Sequence, residues 1–72
     1  MNEYILVKFG EIREVVIDGI ASGYNTGDVI ELEPGTHTIS LAGPANFTPT
    51  EQDVTPSGTS PIQTLIINFS LV

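Results

Sequence analysis

The stretch DVIELEPGTHTISL, residues 28–41, decides the fold class, because apolar and polar residues alternate on both sides of a Pro-Gly pair. Such alternation is typical of a β-strand with one face in the core and one in water. Proline presets φ at the second position of a tight turn, and glycine supplies the positive φ of the third. The stretch therefore predicts two strands, over 28–33 and 36–41, joined as a hairpin at Pro34-Gly35.

The apolar residues of these two strands define their inner faces. Ile30 and Leu32 face the core in the first strand, and His37 shares the inner face with Ile39 and Leu41 in the second. A catalytic histidine would need an orienting carboxylate and a nucleophile. The position of His37, directly after a turn and beside core residues, predicts a partly buried structural histidine instead.

Short runs with the same character lie outside this stretch. Residues 4–9 and 13–17 are two of them, and the second ends in Asp18-Gly19, a turn dipeptide whose glycine can take positive φ. A glycine-containing link is predicted over 23–27, followed by the strand that begins at residue 28. No helical periodicity is present anywhere.

The second half contains a Pro-rich and Gly-rich segment and then the longest apolar run. Residues 51–55 are predicted as a short edge strand, because prolines lie on both sides. Residues 62–72 are predicted as one strand whose inner face carries Leu65, Ile67, Phe69 and Leu71. About six short strands without a helix predict an all-β fold, a small antiparallel β-sandwich or half-open barrel.

Size and charge restrict the classes of partner. A chain of 72 residues forms a single domain, 1–72, and buries only about 60% of its unfolded surface. Cysteine is absent, so no disulfide adds stability, and self-association gains weight. The net charge of −7 repels phosphate backbones and anionic lipids. A protein partner or a second copy is therefore expected, with no nucleic acid and no membrane insertion.

The first residues give an expectation about location. Residues 1–4 contain no basic group, and the apolar run over 5–7 is too short for the core of a signal peptide. As written, the chain is expected to be cytoplasmic or a domain excised from a longer exported protein.

Several segments together resemble the PEGA domain, whose members have a strand ending in Asp-Gly, a linker with glycine, and then Pro-Gly followed by His and alternating apolar residues. The matching segments are Val16-Ile17-Asp18-Gly19, Gly23, residues 30–41, Phe47-Thr48-Pro49 and the last strand. The similarity covers roughly residues 14–71. One departure is Asn25-Thr26-Gly27-Asp28, where the family usually has Thr-Pro. The resemblance implies a small β-sandwich module of prokaryotic surface, envelope and multidomain proteins, without catalytic residues.

No motif for catalysis or cofactor binding is found. No serine lies in a Gly-x-Ser-x-Gly elbow, and no phosphate-binding glycine loop is present. Glu31 and Glu33 lie about 7 Å apart along one strand face, which is ordinary for acids on a solvated strand. The sequence predicts no catalytic residue and no cofactor.

The sequence therefore predicts a non-catalytic structural or protein-interaction module, with a calcium- or carbohydrate-binding module as the alternative. Tyr24 and Phe47 lie in predicted loops, where an exposed ring can anchor a partner. Asp18, Asn25 and Asp28 bracket the glycine-rich link and could supply the oxygen ligands that calcium prefers. The long loop over 48–61 is the first place expected to form a binding surface.

Overall fold

Nine short strands and no helix make up the computed structural model, which describes all of residues 1–72. The strands are β1 (Glu3–Lys8), β2 (Glu14–Ile17), β3 (Ile20–Asn25), β4 (Val29–Leu32), β5 (His37–Leu41), β6 (Phe47–Thr48), β7 (Gln52–Val54), β8 (Leu65–Asn68) and β9 (Ser70–Leu71). The all-β prediction is confirmed. The fold offers no helical segment long and apolar enough to cross a membrane.

The strands form two main sheets and a small third one. One main sheet has the order β4-β1-β8 and the other has the order β3-β2-β5-β7, while β6 and β9 pair separately. All pairs are antiparallel except β1 and β8, which are parallel. The buried side chains of both main sheets form one hydrophobic cluster. This arrangement is the small β-sandwich that the alternating pattern predicts.

The core lies between the two main sheets. From the three-stranded sheet, Ile5, Val7 and Ile30 are fully buried, and from the four-stranded sheet Val15 and Ile39 are fully buried. Each such side chain contributes about 1.5–3 kcal/mol when it leaves water. The rest of the buried cluster consists of Leu32, Leu41, Phe47, Ile67 and Phe69. The apolar inner faces predicted for the strands at 28–33 and 36–41 are confirmed.

Aromatic rings close one end of this core. Phe47 packs edge-to-face against Phe9 and Phe69, with ring centroids 6.0 and 5.7 Å apart. This geometry brings the positive edge of one ring to the negative face of another. The guanidinium carbon of Arg13 lies 5.5 Å from the centroid of the Phe9 ring, which adds a cation–π contact.

The Arg13 side chain ties the loops together at this end. Its Nη1 donates to the carbonyl oxygens of Ala42 and Pro44, at 3.1 and 3.2 Å. Its Nη2 donates to Glu11 Oε1 at 2.6 Å and to Asn46 Oδ1 at 2.7 Å. The planar, rigid set of donors on arginine suits several acceptors at once. One side chain therefore fixes the segments that flank β2 and follow β5.

The hairpin predicted at Pro34-Gly35 is wrong. β4 lies in the three-stranded sheet beside β1, whereas β5 lies in the four-stranded sheet between β2 and β7. The chain bends at Pro34-Gly35, with Gly35 at a φ of 118°. A tight turn between two strands does not determine whether those strands pair with each other. Here the chain passes at Pro34-Gly35 from one layer of the sandwich to the other.

The link predicted over residues 23–27 is also wrong, because β3 extends to Asn25 and forms a hairpin with β2. Asp18 and Gly19 both have positive φ, 53° and 79°, as the two-residue turns favoured in hairpins require. β3 buries none of its side chains completely. Because β3 has no fully buried face, its sequence lacks the alternation of apolar and polar residues that predicts the other strands.

The single strand predicted over residues 62–72 is divided in two at Phe69. β8 pairs with β1, and β9 pairs with β6. The Phe69 amide donates to the Lys8 carbonyl at 2.9 Å, and its ring enters the core. Leu71, predicted to face the core, is instead 52% exposed, because β9 has left the main sheet.

Candidate functional site

The two predicted partner-binding aromatics have different surroundings. Phe47 is only 7% exposed and packs between two other rings, so it does not offer the exposed ring that its predicted loop position implied. Its position before a proline indicated a loop, but the ring turns into the core. Tyr24 lies on edge strand β3 and is 37% exposed. A partner-binding role for Tyr24 stays a prediction.

The three predicted calcium ligands do not come together. Asp18 lies in the turn of the β2–β3 hairpin, whereas Asn25 pairs with Glu14 at the hairpin's other end. Asp28 Oδ2 accepts a hydrogen bond from the Asn25 amide at 2.8 Å, and Asp18 Oδ1 accepts one from the Thr38 amide at 2.8 Å. No group of three or more acidic or histidine side chains is placed to hold a metal ion.

His37 joins two elements through both ring nitrogens. Nδ1 lies 2.8 Å from Asp18 Oδ2, and Nε2 lies 2.7 Å from the Glu33 carbonyl oxygen. Both partners are acceptors, so the imidazolium form, which carries a proton on each nitrogen, can donate to both of them. The hydrogen bond to the Glu33 carbonyl, and then that to Asp18, raise the pKa of His37. With both nitrogens engaged and the side chain 15% exposed, His37 links the end of β4 to the β2–β3 turn.

The segment over residues 48–61, predicted as a long loop, is bound closely to the sandwich. Its central strand β7 lies at the edge of the four-stranded sheet, as predicted for residues 51–55. Further on, the amide and hydroxyl of Thr59 donate to Glu3 Oε1 at 2.9 and 2.6 Å, which lowers the pKa of Glu3. Pro56 is buried. The segment therefore offers less free surface than the sequence indicates.

One open cleft, of about 300 Å³, lies beside the end of β1. Its lining residues are Lys8, Phe9, Gly10, Glu11, Ile12, Thr26 and Gly27. The Thr26 hydroxyl donates to the Glu11 carbonyl and accepts from the Arg13 amide, so it is engaged within the fold. The cleft contains no histidine, serine or cysteine.

The outer face of the three-stranded sheet, meaning the side of β4, β1 and β8 that points away from the core, carries a row of aliphatic side chains. Leu6 pairs with Val29 on one side and with Ile66 on the other. Each alternates with core residues along its strand and so points outward. Val29 is 45% exposed and Ile66 is 43% exposed. Leu6 between them is half-buried. These three side chains, here called the apolar row, form a continuous aliphatic strip across the three strands.

Charged groups lie at the two ends of the outer face. Glu31 is next to Tyr4 at one end, and Lys8 is next to Asn68 at the other. Glu31 accepts a hydrogen bond from Asn2 Nδ2 at 2.6 Å and has no cation beside it. Lys8 forms no ion pair, whereas Arg13 and His37 both do. Within its three strands, the outer face therefore presents one positive and one negative side chain that form no ion pair in the chain.

The other sheet has a different outer face. Val16 is flanked there by Ala21 and Ser40, and Thr38 is beside Asp53. Small and polar side chains therefore cover this side, and no aliphatic row forms. The sequence analysis missed the apolar row, because the register that brings Val29, Leu6 and Ile66 together is not visible within any one strand.

Comparisons with known proteins leave the function to be argued from this geometry. No protein-family model matches the chain, and no curated protein or solved structure matches it either.

We expect Phe47→Ala to lower the free energy of unfolding by about 3–5 kcal/mol, because it removes a ring from a packed core. Tyr24→Ala, the matched control, should lower it by considerably less, since Tyr24 is 37% exposed and lies outside the core cluster. Urea denaturation followed by circular dichroism measures both values. If Phe47→Ala does not fold, the milder Phe47→Leu replaces it, and a stability equal to the wild type contradicts the assignment of Phe47 to the core.

The link through His37 predicts a pH dependence. Its pKa is raised above the ordinary value of 6.5, so its contribution is fully present below that pH and is lost as pH rises through the raised pKa. Asp18 has a pKa below the ordinary 3.8, lowered by the Thr38 amide and then by His37. Its contribution is present above 3.8 and is lost as pH falls through the lowered pKa.

Melting curves from about pH 3 to about pH 9 measure this dependence. The wild-type melting temperature should fall on the alkaline side, by on the order of 4 °C for each kcal/mol lost. His37→Gln should flatten that decline, whereas Glu51→Gln, an exposed control, should keep it. An unchanged alkaline decline in His37→Gln contradicts the assignment.

Proposed function

We propose that the chain is a non-catalytic interaction module of the PEGA kind, which binds a protein partner through its outer face in a prokaryotic envelope or surface assembly. The observation that carries the proposal is the apolar row across β4, β1 and β8. Aliphatic side chains that stay in water on adjacent strands favour burial against another surface.

The shape of the outer face favours a protein over a small molecule. Three adjacent strands present their side chains as a shallow, twisted surface, whereas small ligands are bound in concave pockets with convergent polar groups. Sheets commonly pack face to face against other sheets. The resemblance over residues 14–71 and the all-β fold support the family assignment within this proposal.

The polar groups support a non-catalytic role. His37 uses both ring nitrogens within the fold, and the cleft beside β1 contains no nucleophile with an adjacent base. Glu31 and Glu33, the pair of acids at the end of β4, are exposed and lie outside the cleft. The exposed surface therefore offers apolar contacts through which a partner can bind.

A photo-crosslinking amino acid at position 66 tests the proposal in cells that produce the chain. The benzophenone side chain should form adducts with protein when it replaces Ile66, because Ile66 lies in the apolar row. The same residue at position 20 is the matched control, since Ile20 is an exposed isoleucine on an edge strand of the other sheet. Adducts of equal yield at both positions, or none at position 66, contradict the proposal.

A further inference from the structure

Resting on the proposed function, we infer that the partner of the outer face is a second copy of this chain. The two copies pack with their outer faces together, about a two-fold axis that lies between them and runs across the strands at Leu6. Symmetric association requires one surface to be complementary to itself. The order of residues along β1 and its neighbours meets that requirement.

The apolar row lies on the axis and therefore meets its own copy. Leu6 packs on Leu6 of the second copy, and Val29 and Ile66 each meet their equivalents, because all three occupy the same level along the strands. Strands of the two copies run in opposite directions across the interface. This is the aligned packing of two sheets about 10 Å apart, as within a β-sandwich.

The same axis exchanges the two ends of the outer face. Tyr4 and Lys8 lie on the same side of β1, two residues before and two residues after Leu6. Lys8 of one copy is therefore placed over Tyr4 of the other, beside Glu31, which pairs with Tyr4. Each dimer gains two ion pairs between Lys8 and Glu31, and each ammonium group also lies near a tyrosine ring.

Charge makes this face suitable for a copy of the same acidic chain. Within β1, β4 and β8 the charged side chains of the outer face are Lys8 and Glu31, and Glu33 follows directly after β4 on the same side, so most of the net charge of −7 lies outside this face. Association through the acidic side of the four-stranded sheet would place Asp53 and other acids against their own copies. When two copies meet through the outer face, Lys8 of each copy lies beside Glu31 of the other.

The small area of the outer face indicates a weak dimer. Strands about 4.8 Å apart that overlap over four residues, at about 3.3 Å per residue, give a face about 10–15 Å in each direction. Stable interfaces bury about 800 Å² on each partner, which is considerably more. We therefore expect a weak, reversible dimer that forms towards the upper end of concentrations up to about 1 mM.

Sedimentation equilibrium on the purified full chain, at concentrations up to about 1 mM, tests the inference through a charge exchange. Lys8→Glu and Glu31→Lys should each raise the dimer Kd at least about tenfold, because each replaces two attractive pairs by two repulsive ones. The double variant, Lys8→Glu with Glu31→Lys, should return to within about fivefold of the wild type. It has the wild-type net charge, so general repulsion does not account for the recovery.

Controls separate the outer face from the rest of the surface. Glu51→Lys changes the net charge as Glu31→Lys does but lies in the exposed segment before β7, and it should not weaken the dimer. Ile66→Thr should weaken the dimer and Ile20→Thr should not, and both keep a β-branched residue in the strand. Circular dichroism checks that each variant is folded.

A monomeric wild type over the whole range overturns the inference, and so does a double variant that stays as weak as either single one. If position 66 then crosslinks to a different protein, the proposed function stands and only the second copy is excluded. If the wild type dimerises but Ile20→Thr is the variant that weakens it, the outer face is the wrong surface and both proposals fail.

Discussion

The packing of two small sheets against each other is the constraint on which the rest of the structure depends. A chain of 72 residues without cysteine supplies one core, and the fully buried side chains at its centre come from both sheets. Each sheet can cover only one face of the other. The remaining two faces must be compatible with water or be covered by something else, and they differ sharply in composition.

Polar side chains connect the loops and strand ends of the sandwich, which lie outside the buried core. Arg13 joins the segments around β2 and after β5, His37 joins the end of β4 to the β2–β3 turn, and Glu3 holds the segment near Thr59. Arg13 and Glu3 bond to main-chain atoms of distant segments, and His37 bonds to the distant side chain of Asp18. Such hydrogen bonds are stronger than neutral ones, and they stabilise loops that cannot reach the core. These charges therefore act within the fold, whereas Lys8 and Glu31 have no charged partner in the chain.

Local patterns predict the strands, and long-range pairing decides the rest. The alternation in residues 28–41 gave the correct inner faces for Ile30, Leu32, Ile39 and Leu41, because burial of one face is a property of each strand alone. The same pattern could not show that β4 pairs with β1 or that the chain changes sheets at Pro34-Gly35. Phe47 was assigned to the surface because its neighbours are turn residues, although an aromatic ring can enter the core from a short strand. The apolar row could not be predicted either, because its three members come from three strands and only the register between the strands brings them together.

Two copies that meet through the outer face of the β4-β1-β8 sheet change the surroundings of its amides. A series of ¹H–¹⁵N correlation spectra of the wild type between about 20 µM and about 1 mM detects that change. We expect concentration-dependent shifts for amides in β1, β4 and β8, largest near Leu6, Val29 and Ile66, and constant shifts in β3 and β7. Spectra that do not change with concentration, or shifts confined to β3 and β7, would contradict this interface.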